Sequence, residues 1–271
     1  MKNTVAILEK PGKMVIKEAA VPEPKDNEVL IKVGDVGICG SDVHGFQHGP
    51  YIPPKDPNQT IGLGHEVAGI VEKIGANVTD FKVGDRVCIE PGIPCYKCEF
   101  CMEGHYNVCP DVDFMATQPN YKGALTNYLT HPADMTYHLP DNMSIVEGAL
   151  VEPAAVGIHA AEMAGELLGK KVVILGSGCI GLMTVQSTKL MGASEIVVID
   201  VLQNRLDKAK ELGATAIFDG RVEDLIEKVK EVVGEYGADV VFETAGAIPT
   251  AKMALQLVKR RGKVMIVGTI P

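Results

Sequence analysis

Four of the seven cysteines of this chain lie within the stretch CYKCEFCMEGHYNVC, residues 95 to 109. Their spacing, C-x2-C-x2-C-x7-C, suits either a disulfide-bonded loop or a tetrahedral zinc site. The N-terminus lacks the apolar core and the small-residue cleavage site of a secretory signal, so we expect a cytoplasmic protein whose thiols stay reduced. We therefore predict one structural zinc in the loop 91–110. A closed four-thiolate site leaves no open coordination position and performs no chemistry, and the predicted ligands are Cys95, Cys98, Cys101 and Cys109.

A second motif with chemical meaning is the G-x-G-x-x-G sequence from Gly176 to Gly181. It follows the apolar run KKVVILG and opens a helical pattern, which is the context of a dinucleotide-binding turn. Such a turn lets a pyrophosphate approach the N-terminus of the helix. Asp200 ends the next strand, where a carboxylate accepts hydrogen bonds from ribose hydroxyls and disfavours a 2′-phosphate. We predict NAD as the cofactor, although Arg205 works against that preference. The expected cofactor-binding residues are Gly176, Gly178, Ile180, Gly181, Asp200, Arg205 and Val267.

The bulk composition restricts the classes of function. The chain has 271 residues, of which 46% are hydrophobic and 23% are charged, as in a globular protein of about two domains. Its net charge of −9 argues against nucleic acid and against an anionic membrane as partners. No apolar run approaches the ~20 residues of a membrane-spanning helix.

The chain has two halves with different hydrophobic patterns, and these halves must position the motifs. Residues 1–155 carry short alternating apolar runs, such as EVLIKV at 28–33, between Gly- and Pro-rich turns, which predicts a β-domain built as a partly open barrel. Residues 156–271 alternate continuous apolar runs with helical patterns, which predicts a doubly wound parallel sheet. In this second half we expect one helix to continue through KMALQLVKRRG, residues 252–262, and a fifth strand to follow it.

Several motifs occur in a characteristic order: GICGSDVH (37–44), GHEVAGIVEKIG (64–75), the four-cysteine loop, LVEPAAVGIHA (150–160) and GSGCIG (176–181). In this order the chain resembles the zinc-containing medium-chain dehydrogenases, and within them the sorbitol (polyol) dehydrogenase branch. The resemblance runs through the whole chain. It implies a GroES-like β-domain with a catalytic and a structural zinc, then a Rossmann domain, with the active site in the cleft between them.

The resemblance also implies roles for single residues. Cys39 and His65 would hold the catalytic zinc together with a carboxylate. That carboxylate is Glu66, or it is Glu152 directly or through water, and the sequence leaves the choice open. Asp42 would orient His65 through the second ring nitrogen. The remaining implied residues are Ser41, whose hydroxyl touches the substrate oxygen, His44 at the end of a proton relay, Glu152 as a further proton acceptor, and Phe114 in the substrate pocket.

The implied reaction is the oxidation of a polyol such as sorbitol or xylitol, or of a related secondary alcohol, to a ketone by hydride transfer to NAD. Gly45 stands where the polyol branch often has an aromatic residue, so the identity of the polyol stays open. A threonine or 2,3-diol dehydrogenase of the same family is the alternative.

The family's chains are longer than this one. They add a sixth strand and a segment that returns to the first domain, so we expect the 271-residue chain to bind zinc with little or no turnover. Relatives form dimers and tetramers, which implies a homo-oligomer for the full-length protein.

Overall fold

A computed structural model describes residues 2–56 and 58–270. The chain forms two compact units, Met1–Glu152 and Pro153–Pro271, called unit 1 and unit 2 below. The boundary between them falls inside the helix Val151–Ala164, close to the predicted boundary at residue 155. In the described part of the chain, no helix has the length and the hydrophobicity that crossing a membrane requires.

Unit 1 is built from antiparallel sheets. Within its described residues the strands are β1 (Asn3–Lys10), β2 (Lys13–Ala19), β3 (Glu28–Gly37), β4 (Ile61–Gly62), β5 (Glu66–Ile74), β6 (Arg86–Ile89), β7 (Gly92–Ile93), β8 (Asp113–Phe114), β9 (Tyr128–Pro132) and β10 (Thr136–His138). They form a five-stranded sheet in the order β10-β6-β5-β3-β9, a three-stranded sheet β2-β1-β4 and a two-stranded sheet β7-β8. The apolar side chains of the central strands, Val29, Ile31, Val71 and Val87, are buried together and form the core of this unit.

The helices of unit 1 are short. They are α1 (Gly40–His48), α2 (Glu99–Met102) and α3 (Ile145–Ala149), with 3₁₀ turns at Tyr106–Val108 and Ala133–Met135, and α4 (Val151–Ala164) contains the unit boundary. Helix α3 begins with a capping box, in which the Ser144 hydroxyl accepts from the backbone N–H of Glu147 and the Glu147 carboxylate accepts from the backbone N–H of Ser144.

Unit 2 has the predicted parallel sheet. Its strands are β11 (Lys171–Leu175), β12 (Glu195–Asp200), β13 (Ala216–Asp219), β14 (Ala238–Glu243) and β15 (Val258–Ile266), in the order β13-β12-β11-β14-β15. The helices are α5 (Cys179–Leu190), α6 (Gln203–Leu212), α7 (Leu225–Val233) and α8 (Ile248–Leu257). Buried residues of the strands pack into two clusters, one led by Val172 and Ile174 and the other by Val173 and Leu175. Alternate side chains of one strand therefore pack on opposite faces of the sheet.

The predicted helix through residues 252–262 is wrong at its C-terminal end. Helix α8 stops at Leu257, and Val258 already pairs with Ala238 of β14. From Lys263 the pairing with β14 continues in a shifted register. The apolar and basic residues of this segment fit a helical period, but pairing with a buried neighbouring strand outweighs that local preference.

Candidate active site and metal centres

The four cysteines of residues 91–110, called the cysteine loop below, converge on one point. All four sulfur atoms lie within 4.8 Å of one another. The Cys98 sulfur is 3.4 Å from the Cys101 sulfur and 3.9 Å from the Cys109 sulfur, and the Cys95 and Cys101 sulfurs are 4.0 Å apart. A tetrahedral zinc with Zn–S bonds of ~2.3 Å requires sulfur atoms about 3.8 Å apart, whereas a disulfide requires ~2.05 Å. The spacing fits a metal ion and excludes disulfides.

Hydrogen bonds from the backbone also prepare these sulfurs to bind a cation. The backbone N–H of Cys98 donates to the Cys95 sulfur at 3.4 Å, and the N–H of Cys95 donates to the Cys109 sulfur at the same distance. Hydrogen bonds from the backbone of Lys97 and Cys98 lower the pKa of Cys95 to about 7. This thiol therefore loses its proton to a metal ion near neutral pH.

Tyrosine–carboxylate contacts attach the cysteine loop to the sheet. The hydroxyls of Tyr106 and Tyr137 donate to the same Glu90 oxygen at 3.2 and 3.0 Å. The Tyr96 hydroxyl donates to Asp134 at 2.8 Å. Sequence reasoning missed these contacts, because tyrosines and acids separated by 16 to 47 positions give no local signal.

A second group of possible metal donors comes from the strands β3 and β5. One donor atom from each of Cys39, His65 and Glu66 lies within 4.8 Å of the other two. The pairing of β3 with β5 brings them together, because Gly37 lies opposite Glu66 in the register. Cys39 follows the end of β3 and His65 precedes the start of β5, so residues far apart in sequence become neighbours. His65 and Glu66 are buried.

Asp42 holds the backbone on both sides of this group. One of its carboxylate oxygens accepts from the N–H of Cys39 at 2.9 Å, and the other accepts from the N–H of Gly64 at 2.7 Å. The His65 Nδ1 atom is 4.0 Å from Asp42 Oδ1, which is longer than a hydrogen bond. Asp42 therefore acts on His65 through its charge and through the backbone of the preceding Gly64.

A cation would stabilise the charged forms of three acidic groups at this site. Burial raises the pKa of Cys39, and the Glu66 charge adds to this effect, while hydrogen bonds with Ser41 oppose it. Burial likewise raises the pKa of Glu66 and of Glu152, and in both cases His65 acts in the opposite direction. A bound divalent cation reverses this penalty and stabilises the deprotonated donors.

The donor set fits a catalytic zinc. One thiol, one imidazole and one carboxylate supply three ligands and leave a position for a substrate. Glu152 lies outside the Cys39–His65–Glu66 group, although the charges of His65 and Glu66 act on it. Among the described residues, the geometry thus favours Glu66 as the direct carboxylate ligand and places Glu152 nearby.

Other predicted residues of unit 1 surround this group. Ser41 hydrogen bonds with Cys39. His44 lies three positions further along α1, so it shares a helix face with Ser41. The His44 ring stacks on Tyr51, with the ring centres 3.8 Å apart. Phe114 meets the His65 ring edge to face, with the ring centres 5.6 Å apart, and its place in a substrate pocket stays a prediction.

In unit 2 the glycine motif forms a tight turn between β11 and α5. Gly176 has a φ of +96°, a conformation that L-residues rarely adopt. A Cβ at Gly181 would lie 2.1 Å from the Gly176 carbonyl oxygen, so the helix packs against the turn with no room for a side chain. Gly178 precedes α5 as its N-cap, and a Cβ there would meet only the Arg205 guanidinium, at 3.9 Å. A ligand could therefore reach the N-terminus of α5 at Gly178, where there is free space, whereas Gly181 is packed tightly against the turn.

Asp200 at the end of β12 faces the same turn. Its Oδ2 atom accepts from the backbone N–H of Ser177 at 2.7 Å and from the Ser177 hydroxyl at 3.0 Å, and Oδ1 accepts from the N–H of Leu202 at 2.9 Å. Burial alone would raise the pKa of Asp200, but these hydrogen bonds outweigh it and keep the pKa below its ordinary value. Ile180 lies in the first turn of α5, and Val267 directly follows β15.

The chain combines an antiparallel unit that has two groups of metal donors with a parallel unit that has a glycine-rich turn for phosphate. This combination defines a zinc-dependent dehydrogenase that uses a nicotinamide cofactor. Comparison with protein families gives the same class. Residues 25–141 match the alcohol dehydrogenase GroES-like domain, and residues 179–271 match the zinc-binding dehydrogenase domain. The chain belongs to the zinc-type alcohol dehydrogenases, and the predicted fold, a GroES-like domain followed by a Rossmann domain, is confirmed.

Individual relatives cover the chain almost completely. The uncharacterized zinc-type alcohol dehydrogenase-like protein YdjJ of Escherichia coli is 63% identical over 100% of this chain and 78% of the relative. The sorbitol dehydrogenase of Bacillus subtilis is 43% identical over 97% of this chain and 74% of the relative. Among solved structures, an Escherichia coli oxidoreductase/dehydrogenase of unknown specificity superposes with a TM-score of 0.98 at 62% identity, over 100% of this chain and 78% of that chain.

Proposed function

We propose that this alcohol dehydrogenase oxidises a polyol, of the sorbitol or xylitol type, or a related secondary alcohol, with NAD as the hydride acceptor. The observation that carries the proposal is the composition of the metal group: one thiol, one imidazole and the Glu66 carboxylate, with the Glu152 carboxylate close by. Carboxylate oxygens accept hydrogen bonds from the several hydroxyls of a polyol. The sorbitol dehydrogenase of Bacillus subtilis, at 43% identity, supports the same substrate class.

Zinc held by Cys39, His65 and Glu66 would supply Lewis acidity, which makes the hydroxyl of an alcohol more acidic. The protein's own residues then bind the substrate and move its proton. The Ser41 hydroxyl, next to Cys39, accepts the proton of the alcohol as it releases its own proton towards His44. His44, three residues further along α1, passes the proton outward, and Tyr51 stacks on its ring and limits the rotation of the imidazole. Phe114 covers the edge of His65 and excludes water from one side of the metal group.

The preference for NAD is proposed from Asp200. Its carboxylate is fixed by Ser177 and Leu202 and keeps a low pKa, so it presents a negative charge to the ribose. Each carboxylate oxygen retains capacity to accept a further hydrogen bond from a ribose hydroxyl. A 2′-phosphate would be repelled at the same place. The Arg205 guanidinium at Gly178 is the competing influence, and a direct comparison of NAD with NADP decides between them.

The test is a substrate panel with a zinc-loaded protein that carries, after residue 271, the C-terminal segment of its longer relatives, followed by the absorbance of the reduced nicotinamide. Sorbitol, xylitol, 2,3-butanediol and threonine are offered with NAD and, separately, with NADP. We expect the polyols to give the highest kcat/KM with NAD, and the variant Ser41→Ala to lose about 100-fold in kcat because it lacks the first proton acceptor. Oxidation of threonine or butanediol without oxidation of polyols would contradict the proposed substrate, and a preference for NADP would contradict the proposed cofactor.

A further inference from the structure

Glu243 is a fully buried acid in unit 2 that no step of the proposed reaction uses. It is the last residue of β14, and its exposed fraction is 0%. Among the residues that the structure describes, it takes part in no ion pair with Lys, Arg or His. A carboxylate in such a place must be stabilised by hydrogen bonds.

Those hydrogen bonds come from the segment directly after β14. The Oε1 atom of Glu243 accepts from the backbone N–H of Ala245 at 3.1 Å and of Gly246 at 3.0 Å. The same oxygen accepts from the Thr250 hydroxyl at 2.7 Å, and Oε2 is 3.3 Å from the Gly246 nitrogen. One side chain thus fixes both the loop 244–246 and the first turn of α8.

The position of Glu243 in the sheet gives this arrangement its significance. In the register it lies opposite Leu175, the last residue of β11, on one side and opposite Ile266 of β15 on the other. The sheet order places β11 and β14 side by side, although two strands, β12 and β13, separate them in the chain. This is the switch point of a doubly wound sheet, and dinucleotides bind in the crevice that opens there.

The loop 244–246 forms one wall of the phosphate-binding turn. The Thr244 hydroxyl is 3.0 Å from both the Leu175 and Gly176 carbonyl oxygens, and a Cβ at Gly176 would lie 3.0 Å from the Ala245 Cα. On the other side, a Cβ at Gly268 would lie 2.3 Å from the Gly246 nitrogen. The loop is therefore wedged between the turn after β11 and the segment after β15.

We propose that Glu243 is a positioning residue for the dinucleotide: its carboxylate holds the loop 244–246 in place between the pyrophosphate turn and Gly268. Asp200, on β12, marks the adenosine side of the sheet. The segments after β14 and β15 lie on the opposite side of β11, where a dinucleotide that crosses the switch point would place its nicotinamide half. The inference rests on the proposed dinucleotide cofactor. It assigns to Glu243 the role of keeping the nicotinamide side of the crevice in its binding shape before the cofactor arrives.

The test compares a ligand that reaches this half with a ligand that does not. Binding of NADH and of AMP is measured by calorimetry on the 271-residue chain, on Glu243→Gln and on Thr250→Val. We expect Glu243→Gln, which turns one acceptor atom into a donor, to raise the Kd for NADH about tenfold and the Kd for AMP less than about twofold. Thr250→Val removes one donor and should show the same selectivity with a smaller change. Glu227→Gln on α7, an exposed acid, is the matched control and should change neither Kd.

The outcomes separate a positioning role from a structural one. An equal loss for AMP and NADH would mean that Glu243 only stabilises unit 2, and unaltered NADH binding by a folded Glu243→Gln chain would also overturn the proposal. If Glu243→Gln does not fold, the ratio of the two Kd changes in Thr250→Val decides. A chain without substitutions that does not bind NADH would refute the proposed cofactor, and this inference with it.

Discussion

His131 should make the stability of unit 1 depend on pH. Its side chain is 1% exposed, and its Nε2 atom is 2.8 Å from the Glu90 carbonyl oxygen. Because a carbonyl only accepts, the neutral ring donates from Nε2. Burial lowers the pKa of His131 from its ordinary value of 6.5 to about 4, although the Glu90 carbonyl and the charges of Asp134 and Glu28 act in the opposite direction.

The sign and the size of the effect follow from these two values. The folded-state pKa lies below the unfolded value, so the unfolded chain binds the proton first as the pH falls. Stability that is present above about pH 6.5 is therefore lost as the pH falls towards about 4. The gap of about 2.5 between the two pKa values corresponds in full to about 3.5 kcal/mol, at about 1.4 kcal/mol for each pKa unit. About 2 kcal/mol of this is lost between pH 7 and pH 5.

The perturbation is His131→Gln, whose amide can donate to the same carbonyl but does not titrate. The chain has no tryptophan, and six of its seven tyrosines lie in unit 1, so tyrosine fluorescence follows the urea unfolding of that unit. His138→Gln is the matched control, because His138 also has Nε2 at 3.0 Å from a carbonyl, that of Asp80, but is exposed.

We expect the free energy of unfolding of the unsubstituted chain to fall relative to that of His131→Gln by about 2 kcal/mol from pH 7 to pH 5. The His138→Gln chain shows how far the loss of any histidine changes the free energy of unfolding over this range. If the curves of His131→Gln and the unsubstituted chain run parallel over this range, the ring is not kept neutral by burial, and the reasoning is wrong.

Three further predictions concern the cysteine loop, the turn between β11 and α5, and Asp200. Cys109→Ser should lose one metal ion per chain and at least about 2 kcal/mol of stability, measured by metal analysis and urea unfolding; retention of the ion would contradict the four-thiolate site. Gly181→Ala should destabilise unit 2 by about 1–3 kcal/mol, because its Cβ would clash with the Gly176 carbonyl oxygen. Gly178→Ala should leave the Tm unchanged and raise the Kd for NADH about tenfold or more. Equal changes of Tm and Kd in the two variants would contradict this prediction. Asp200→Asn should reduce the ratio of NADPH to NADH dissociation constants about tenfold, as seen by calorimetry, and an unchanged ratio would show that the charge does not select the cofactor.

Features that depend on residues close in sequence could be predicted. The cysteine loop is one, since its four ligands lie within one short stretch, and the β11–α5 turn is another, since three glycines follow a buried strand directly. The alternation of Val- and Ile-rich runs with helical patterns was sufficient to predict the five parallel strands of unit 2. Cys39 and His65 were connected only through resemblance, because the register of β3 with β5, and not their spacing, makes them neighbours.

What could not be predicted depends on tertiary contacts. Asp42 acts on the backbone N–H groups of Cys39 and Gly64, and a sequence motif shows only that an acid is present. In the sequence, Glu243 is only the last residue of a predicted strand. The structure adds that its carboxylate accepts hydrogen bonds from the N–H groups of the next loop. The end of α8 was misplaced because the partner strand β14, and not the local sequence, decides that Val258 is extended.

The central claim is that Cys39, His65 and Glu66 share one metal ion that is separate from the ion of the cysteine loop. The most direct measurement is the zinc content of the purified chain, compared with that of the double variant Cys39→Ser/His65→Gln. We expect one zinc in each of the two donor groups and the loss of one ion in the double variant, with the cysteine-loop ion retained. A single zinc in the unsubstituted chain, or an unchanged zinc content in the double variant, would contradict this claim.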